Sequence, residues 1–325
     1  MGAVLWHLVQ QLRPIGKFDP MMSRTLMVLW LGLVLTTPAE ARTLAEIEAR
    51  GELRVCFSAI EPALVRVEPE GCTVNCQYAG LLVDQVALFA DTLNGISVVP
   101  KSVSWSDQFS DETGQVQREE SYLPELLASG ACDLLVSNLA RLPWRLRKMD
   151  IVPLFESRMI AIVRADRQSE FTTLDSFAGK SAVVSLESSF HTWLLERNME
   201  EFTGNPVEVV PLDGRVALDL VFQDKVDFTL TDADIAVLSI PAYGADLVPA
   251  FAVGPVQELG WGVDPADKEL RAAIEMFFAD QKPDPRSALN RAWQQHLGVT
   301  IPEFEALVNA LPGTQAADGS GTNGD

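Results

Sequence analysis

The chain of 325 residues is 47% hydrophobic and 22% charged, with 19 Pro and 21 Gly, which suits about two globular domains and excludes collagen-like, coiled-coil and wholly disordered organisation. Its 45 Asp and Glu outnumber 25 Lys and Arg, a formal charge of −20. A field of that sign repels polyphosphate and argues against a nucleic-acid partner.

Near the N-terminus, Met21-Met22-Ser23-Arg24 precedes the apolar run Leu26–Leu35, and Ala39-Glu40-Ala41 follows it. A basic start, a short apolar segment and an Ala-x-Ala ending are the order of a cleaved export signal, and the run is shorter than the about 20 residues that span a bilayer. We expect residues 1–41 to be removed, with Met21 or Met22 a better start than Met1; a retained membrane anchor is the alternative. Export predicts disulfides among Cys56, Cys72, Cys76 and Cys132, all in the mature part. Three pairings are open: Cys72 and Cys76 are spaced to close a small loop, with Cys56 and Cys132 either paired or buried as thiols. A zinc site is the rival reading, but it lacks a second close Cys pair or a nearby His.

In chain order, Leu44–Arg50 reads as a helix stopped by Gly51, and Leu53–Phe57 as a strand. Apolar residues at helical spacing from Leu82 to Leu93 end at Asn94-Gly95, and Val98–Val103 is a strand. The polar run 106–120, with five carboxylates, reads as a solvated surface insertion. Tyr122–Ala128 is expected to be helical and Leu134–Val136 a strand. The pattern then restarts: Thr173 to Gly179 as a capped helical turn, strand 182–186, a helix after Ser188-Ser189, strand 207–210, helix 215–222 and strand 228–230. Late in the chain come a strand at Gly260–Val263 and helices at 268–279 and 286–297. Alternation of strand and helix implies parallel sheets in two similar α/β units. The Gly-, Ser- and Asp-rich segment 312–325 lacks apolar periodicity and is expected to be a disordered tail.

Several stretches carry a family resemblance over about residues 44–298: TLAEIEARGELRVCF, then Gly80-Leu-Leu-Val-Asp84, then YLPELLASGACDLLVSNLARLPWRLRKMDIVPLF, SLESSFHTW, KVDFTLTDADIAV and GWGVDPADKELRAAIEMFF. Together they resemble type II periplasmic solute-binding proteins, in particular extracellular solute-binding family 3, whose known members mostly bind amino acids. The resemblance implies a two-lobed α/β fold, each lobe a mainly parallel sheet flanked by helices, joined by two crossover segments. Lobe one would comprise 42–157 and 256–311, and lobe two 158–255.

The resemblance also implies a ligand site. Arg145 stands where the family grips the ligand α-carboxylate, Ser137, Asn138 and Ala140 occupy the ligand-facing loop, Ser188 and Ser189 also touch the carboxylate, and Asp232 stands at the acid that holds the α-ammonium. The chemistry agrees, since a guanidinium meets a carboxylate with two parallel hydrogen bonds. Arg141, Arg147 and Lys148 are expected to be solvated. Asp232 has a competing role as a helix N-cap, with Asp234 as its rival. This sequence departs from the family in having Glu61-Pro62-Ala63-Leu64 in place of an aromatic Pro-Pro-Phe, Ala140 in place of Ser or Thr, and Trp144 in place of Glu. Trp105 or Trp144 is a candidate replacement for the missing ring.

The implied function is capture of a small zwitterionic or anionic solute in the periplasm for an inner-membrane ABC permease, by a monomer without cofactors. Glu187 and His191 beside the Ser188 turn raise an enzyme alternative on the same fold, a dehydratase acting on prephenate or arogenate; a sensor or accessory binding module without a transporter is a third reading.

Overall fold

The computed structural model describes residues 41–58, 62, 64–69, 71–72, 75–212 and 216–311. The predicted export signal (1–41, except residue 41) and the predicted tail (312–325) lie outside these, as do Glu61 and Ala63 of the departure noted above.

Thr43 opens α1 (Leu44–Arg50) with a reciprocal capping box to Glu46, and Gly51, at φ 67°, ends it in the left-handed region that glycine adopts without penalty. β1 (Glu52–Ser58) follows, then the small hairpin β2 (Arg66–Glu68) and β3 (Gln77–Ala79). Next come α2 (Leu81–Thr92), β4 (Ser97–Val103), α3 (Glu125–Ala128), β5 (Leu134–Ala140), α4 (Pro143–Leu146) and the long β6 (Asp150–Arg164). The second unit contains β7 (Ser181–Ser185), α5 (Ser189–Glu200), β8 (Glu208–Leu212), α6 (Ala217–Phe222), β9 (Phe228–Asp232) and α7 (Ala233–Ser239). The 17-residue β10 (Leu247–Val263) returns to the first, which closes with α8 (Lys268–Gln281), α9 (Ala288–Leu297) and α10 (Ile301–Ala310).

These strands form one eight-stranded sheet in the order β4-β1-β5-β10-β6-β9-β7-β8. Each outer part is parallel: β1 with β4 and β5, and β7 with β8 and β9. Parallel neighbours require crossover connections, which α2, α5 and α6 help to supply. β6 and β10 are antiparallel to each other and to β5 and β9, and stitch the two halves together. At Gly260 they approach so closely that an added Cβ would lie 1.8 Å from the Val152 carbonyl oxygen.

The predicted α/β fold with two crossovers is therefore present, and the crossovers are strands. Aromatic residues pack both halves: Trp261 against Phe89 and Phe278 in the first, and Phe177 stacked 4.2 Å from Phe228 in the second. No described helix is long and apolar enough to cross a membrane.

All four cysteines are spent in disulfides, Cys56 with Cys132 and Cys72 with Cys76, which removes the zinc alternative. Other expectations require correction. The helix predicted over Tyr122–Ala128 starts only at Glu125, because the residue before Pro124 is pushed out of helical conformation. The turn after Thr173 is 3-10, over Leu174–Phe177, and the Thr173 side chain does not cap it.

The polar run 106–120 is no free insertion. It begins with a 3-10 turn, Ser106–Phe109, whose Gln108 and Phe109 are buried. Lys148, expected in solvent, is 2% exposed: its ammonium donates to the Gln117 and Glu120 carbonyls at 2.6 and 2.7 Å and lies over the Tyr122 ring. This anchors the run as a strap along the first half. Arg141 and Arg147 do reach the surface, paired with Glu258 and Glu119.

Candidate functional site

The candidate residues gather at the C-terminal ends of β5, β7 and β9, where open α/β sheets bind ligands. On β5 the pairing with β10 slips: Gly260 faces Leu139 while Trp261 faces Val136. Ser137 and Asn138 therefore bulge from the ladder, and Asn138 takes φ 49°. Such bulges re-aim side chains beside functional sites. Ser137, Asn138 and Ala140 thus lie within a strand, where a loop was predicted. The Ser137 hydroxyl accepts the Ser58 N–H at 3.0 Å, holding β5 to β1. Asn138 Nδ2 reaches across to the second half and donates to Asp234 Oδ2 at 3.0 Å.

Arg145, on the short helix α4 after Pro143, is 1% exposed. One arm of its guanidinium donates to the Ala140 carbonyl at 3.2 Å, and the other crosses to the Glu187 carbonyl at 2.9 Å. Nε has no partner, and Arg145 makes no ion pair with any carboxylate among the described residues. Aromatic rings surround it instead, with Cζ 4.7 Å from the Phe109 centroid, 5.2 Å from Trp144 and 5.4 Å from Trp105. Burial, reinforced by the nearby Arg118, pulls the guanidinium down to about 9, against the opposing pull of Asp232 and Glu187; it remains a cation at neutral pH.

On the second half, Asp232 occupies the N-cap position of α7 but its side chain makes no capping bond. It is 7% exposed and its Oδ1 has no partner. Burial and the neighbouring Asp234 hold its carboxyl well above the usual range, opposed by Arg145. Asp234 is more fully bound, through Asn138 and through the Ser157 hydroxyl at 3.4 Å. Burial nonetheless raises it to about 6.

At the turn from β7 to α5, Glu187 adopts φ 60°. The Ser188 hydroxyl is used locally, donating to the Ser185 carbonyl and accepting from the His191 N–H at 3.1 Å. Ser189 is buried at the first turn of α5. Helical geometry leaves the first backbone N–H groups of α5 without partners inside the helix.

Sequence reasoning missed Arg118. It is the single base in the acidic run 106–120, and that contrast was the available signal. The strap carries it over the Trp144 ring, with its Cζ 4.9 Å from the centroid, to Glu187 Oε2 at 2.5 Å, while its Nη2 is buried without a partner. His191, half-buried near this pair, is lowered by burial and by Arg118, against Glu187. Among the described residues no group of His, Cys, Asp and Glu is placed to hold a metal. Trp105 and Trp144 enclose Arg145, whereas Trp193 and Trp261 belong to the cores.

No family model and no curated protein matches the chain. Solved structures do. An ancestral amino-acid-binding protein, described as a precursor of cyclohexadienyl dehydratase, is similar with a TM-score of 0.63 at 19% identity, over 78% of this chain and 98% of that one. An ABC-transporter substrate-binding protein from Streptococcus pneumoniae with bound histidine gives 0.64 at 17% identity, over 79% and 96%. An arginine-binding protein variant from T. maritima gives 0.61 at 20% identity, over 78% and 99%. At these identities the likeness establishes the fold, and it is the two-lobed solute-binding fold that the sequence motifs resemble.

Proposed function

We propose that this chain is a solute receptor that closes its two lobes on a small molecule carrying both a carboxylate and an ammonium, most simply an α-amino acid. One observation carries this reading. Buried polar groups without partners, which cost about 1 to 3 kcal/mol each, occur on both halves where Asn138 and Arg145 reach across to Asp234 and Glu187: Arg145 Nε and Asn138 Oδ1 on the first half, Asp232 Oδ1 on the second. A zwitterion satisfies donors and acceptors together. Arg145 and the opening N–H groups of α5 at Ser189 would take the carboxylate, and Asp232 with Asn138 Oδ1 the ammonium. Ser137, Ala140 and Ser188 would act as supports, through the bonds described above.

The lobes would divide at 42–157 with 256–311, and 158–255, hinged on β6 and β10. The signal-like N-terminus and the two disulfides support work in the periplasm as a monomer, with delivery to an ABC permease; loss of amino-acid uptake on deletion of the gene would test the delivery. Arg118 and Glu187 would latch the closed state. Arg118→Ala removes a partly buried pair worth about 1 kcal/mol and is expected to speed ligand release about fivefold, read by stopped-flow tryptophan fluorescence. An unchanged release rate would remove Arg118 from the closure.

The reading is tested by thermal shift against the twenty standard L-amino acids, with prephenate and arogenate as further arms. Stabilisation by one or a few amino acids is expected. Turnover of either cyclohexadienyl compound would assign an enzyme instead.

A further inference from the structure

The bond at which the export signal is expected to leave lies beside a buried, unpaired acid. Ala41 and Arg42 line a cavity of about 10 Å³ together with Asp133, Asp264 and Asp267, which has room for about one water-sized group. Arg42 is 8% exposed and its side chain is already spent: the guanidinium donates to Asp133 Oδ1 at 2.9 Å and pairs with Glu52 at 3.1 Å. Asp133 also accepts the Arg54 N–H at 2.7 Å. Asp267, the N-cap of α8, is 6% exposed; its Oδ1 accepts the Leu270 N–H at 3.1 Å, while Oδ2 is buried without a partner. Among the described residues no cation pairs with Asp267 or Asp264, and Lys268, next along α8, is exposed. Burial pushes the Asp267 carboxyl up, against the N–H groups of Leu270 and of Leu44, two residues beyond Arg42; the acids Glu269 and Asp264 add to the rise.

Resting on cleavage after Ala41, we propose that this cavity seats the mature N-terminus as an ammonium paired with Asp267. Hydrolysis of the Ala41–Arg42 peptide bond consumes one water, leaves a carboxylate on the departing Ala41 and converts the Arg42 amide nitrogen into an amine that takes up a proton at neutral pH. The Arg42 side chain, held by Asp133 and Glu52, keeps the new terminus at the cavity. An ammonium there supplies the cation that the Asp267 carboxylate lacks, and its N–H groups meet the unpartnered Oδ2. A buried carboxylate without a cation is costly, so the mature chain is more stable than the signal-bearing one, whose residue 42 nitrogen is a neutral amide. The sign with pH follows from linkage. Pairing raises the amine above its free value of about 8, so the added stability is present from neutral pH up to that value and is lost as pH rises through the raised one.

The test compares protein beginning at Arg42 with the same protein extended at that end by three alanines, each with and without Asp267→Asn. Asparagine keeps the cap on α8 and removes the charge. At pH 7 the extension is expected to lower the thermal midpoint by about 3 °C in the native background and to leave it unchanged in Asp267→Asn; at pH 10 the difference is expected to shrink in the native background too. No shift, or the same shift in both backgrounds, would overturn the pairing. Should Asp267→Asn fail to fold, ¹⁵N NMR of the native protein decides alone: the α-amine is expected to titrate above about 8, and titration at or below its free value would overturn the pairing. Mass spectrometry of the exported protein tests the cleavage separately. A mature chain that starts at any residue other than Arg42 would overturn the maturation step, whatever the prepared chains show of the pair.

Discussion

Arg145→Met is expected to abolish measurable capture of the amino acid that stabilises the native protein, while the fold survives and its thermal midpoint rises. The two halves of this expectation have different origins. Each hydrogen bond to a charged group contributes about 1.5 to 3 kcal/mol, so loss of a two-pronged carboxylate contact weakens binding at least about 100-fold. Stability moves the other way, because Arg145 is buried among Trp105, Phe109 and Trp144 with no carboxylate in ion-pair range among the described residues. A neutral side chain of similar length removes the cost of burying that charge and still fills the space. Arg145→Lys keeps the charge but not the planar fork, and is expected to bind weakly. A purely structural arginine predicts the reverse pattern: full affinity, read by calorimetry, with a lowered midpoint in the Met variant.

The largest expected loss of stability comes from the Cys56–Cys132 bridge. It closes a loop with a sequence separation of 76, and chain-entropy arguments assign about 4.5 kcal/mol to a loop of that length, against about 2 kcal/mol for the short Cys72–Cys76 loop. For a domain of this size, Cys56→Ala with Cys132→Ala is expected to lower the thermal midpoint by about 10 °C. Both sulfurs also lie in the cluster that holds Trp105, Phe109 and Trp144, so ligand affinity is expected to fall with stability. Cys72→Ala with Cys76→Ala is expected to shift the midpoint by less than half as much. Equal shifts for the two pairs, by scanning calorimetry under non-reducing conditions, would contradict the loop-length account.

Much of the architecture was legible from local signals. α1 announced itself by Thr43, Glu46 and Gly51, and the parallel outer strands by their short apolar runs between helical stretches. β6 and most of β10 were not, because strands shared between two halves are buried on irregular faces; β6 shows no clean alternation of buried and exposed positions. α10 was overlooked although Thr300 and Glu303 form a capping box around Pro302, a signal that was present and unused.

At the site, the family resemblance drew attention to Arg145 and Asp232, which the fold brings near enough to bias each other's charge. The contact of Asn138 with Asp234 and the reach of Arg118 to Glu187 span 96 and 69 residues. No periodicity encodes such pairings. The hydrophilic composition of 106–120 also concealed a strap, because its anchors are backbone carbonyls bound by Lys148.

The account turns on a ligand held between Arg145 and Asp232, and the most direct measurement is a crystal structure of the protein grown with its tightest-binding amino acid. The account predicts the ligand carboxylate on the Arg145 guanidinium and the ammonium on Asp232, with the lobes closed around both. Density for the ligand elsewhere, or in that gap with its carboxylate turned away from Arg145, would contradict it.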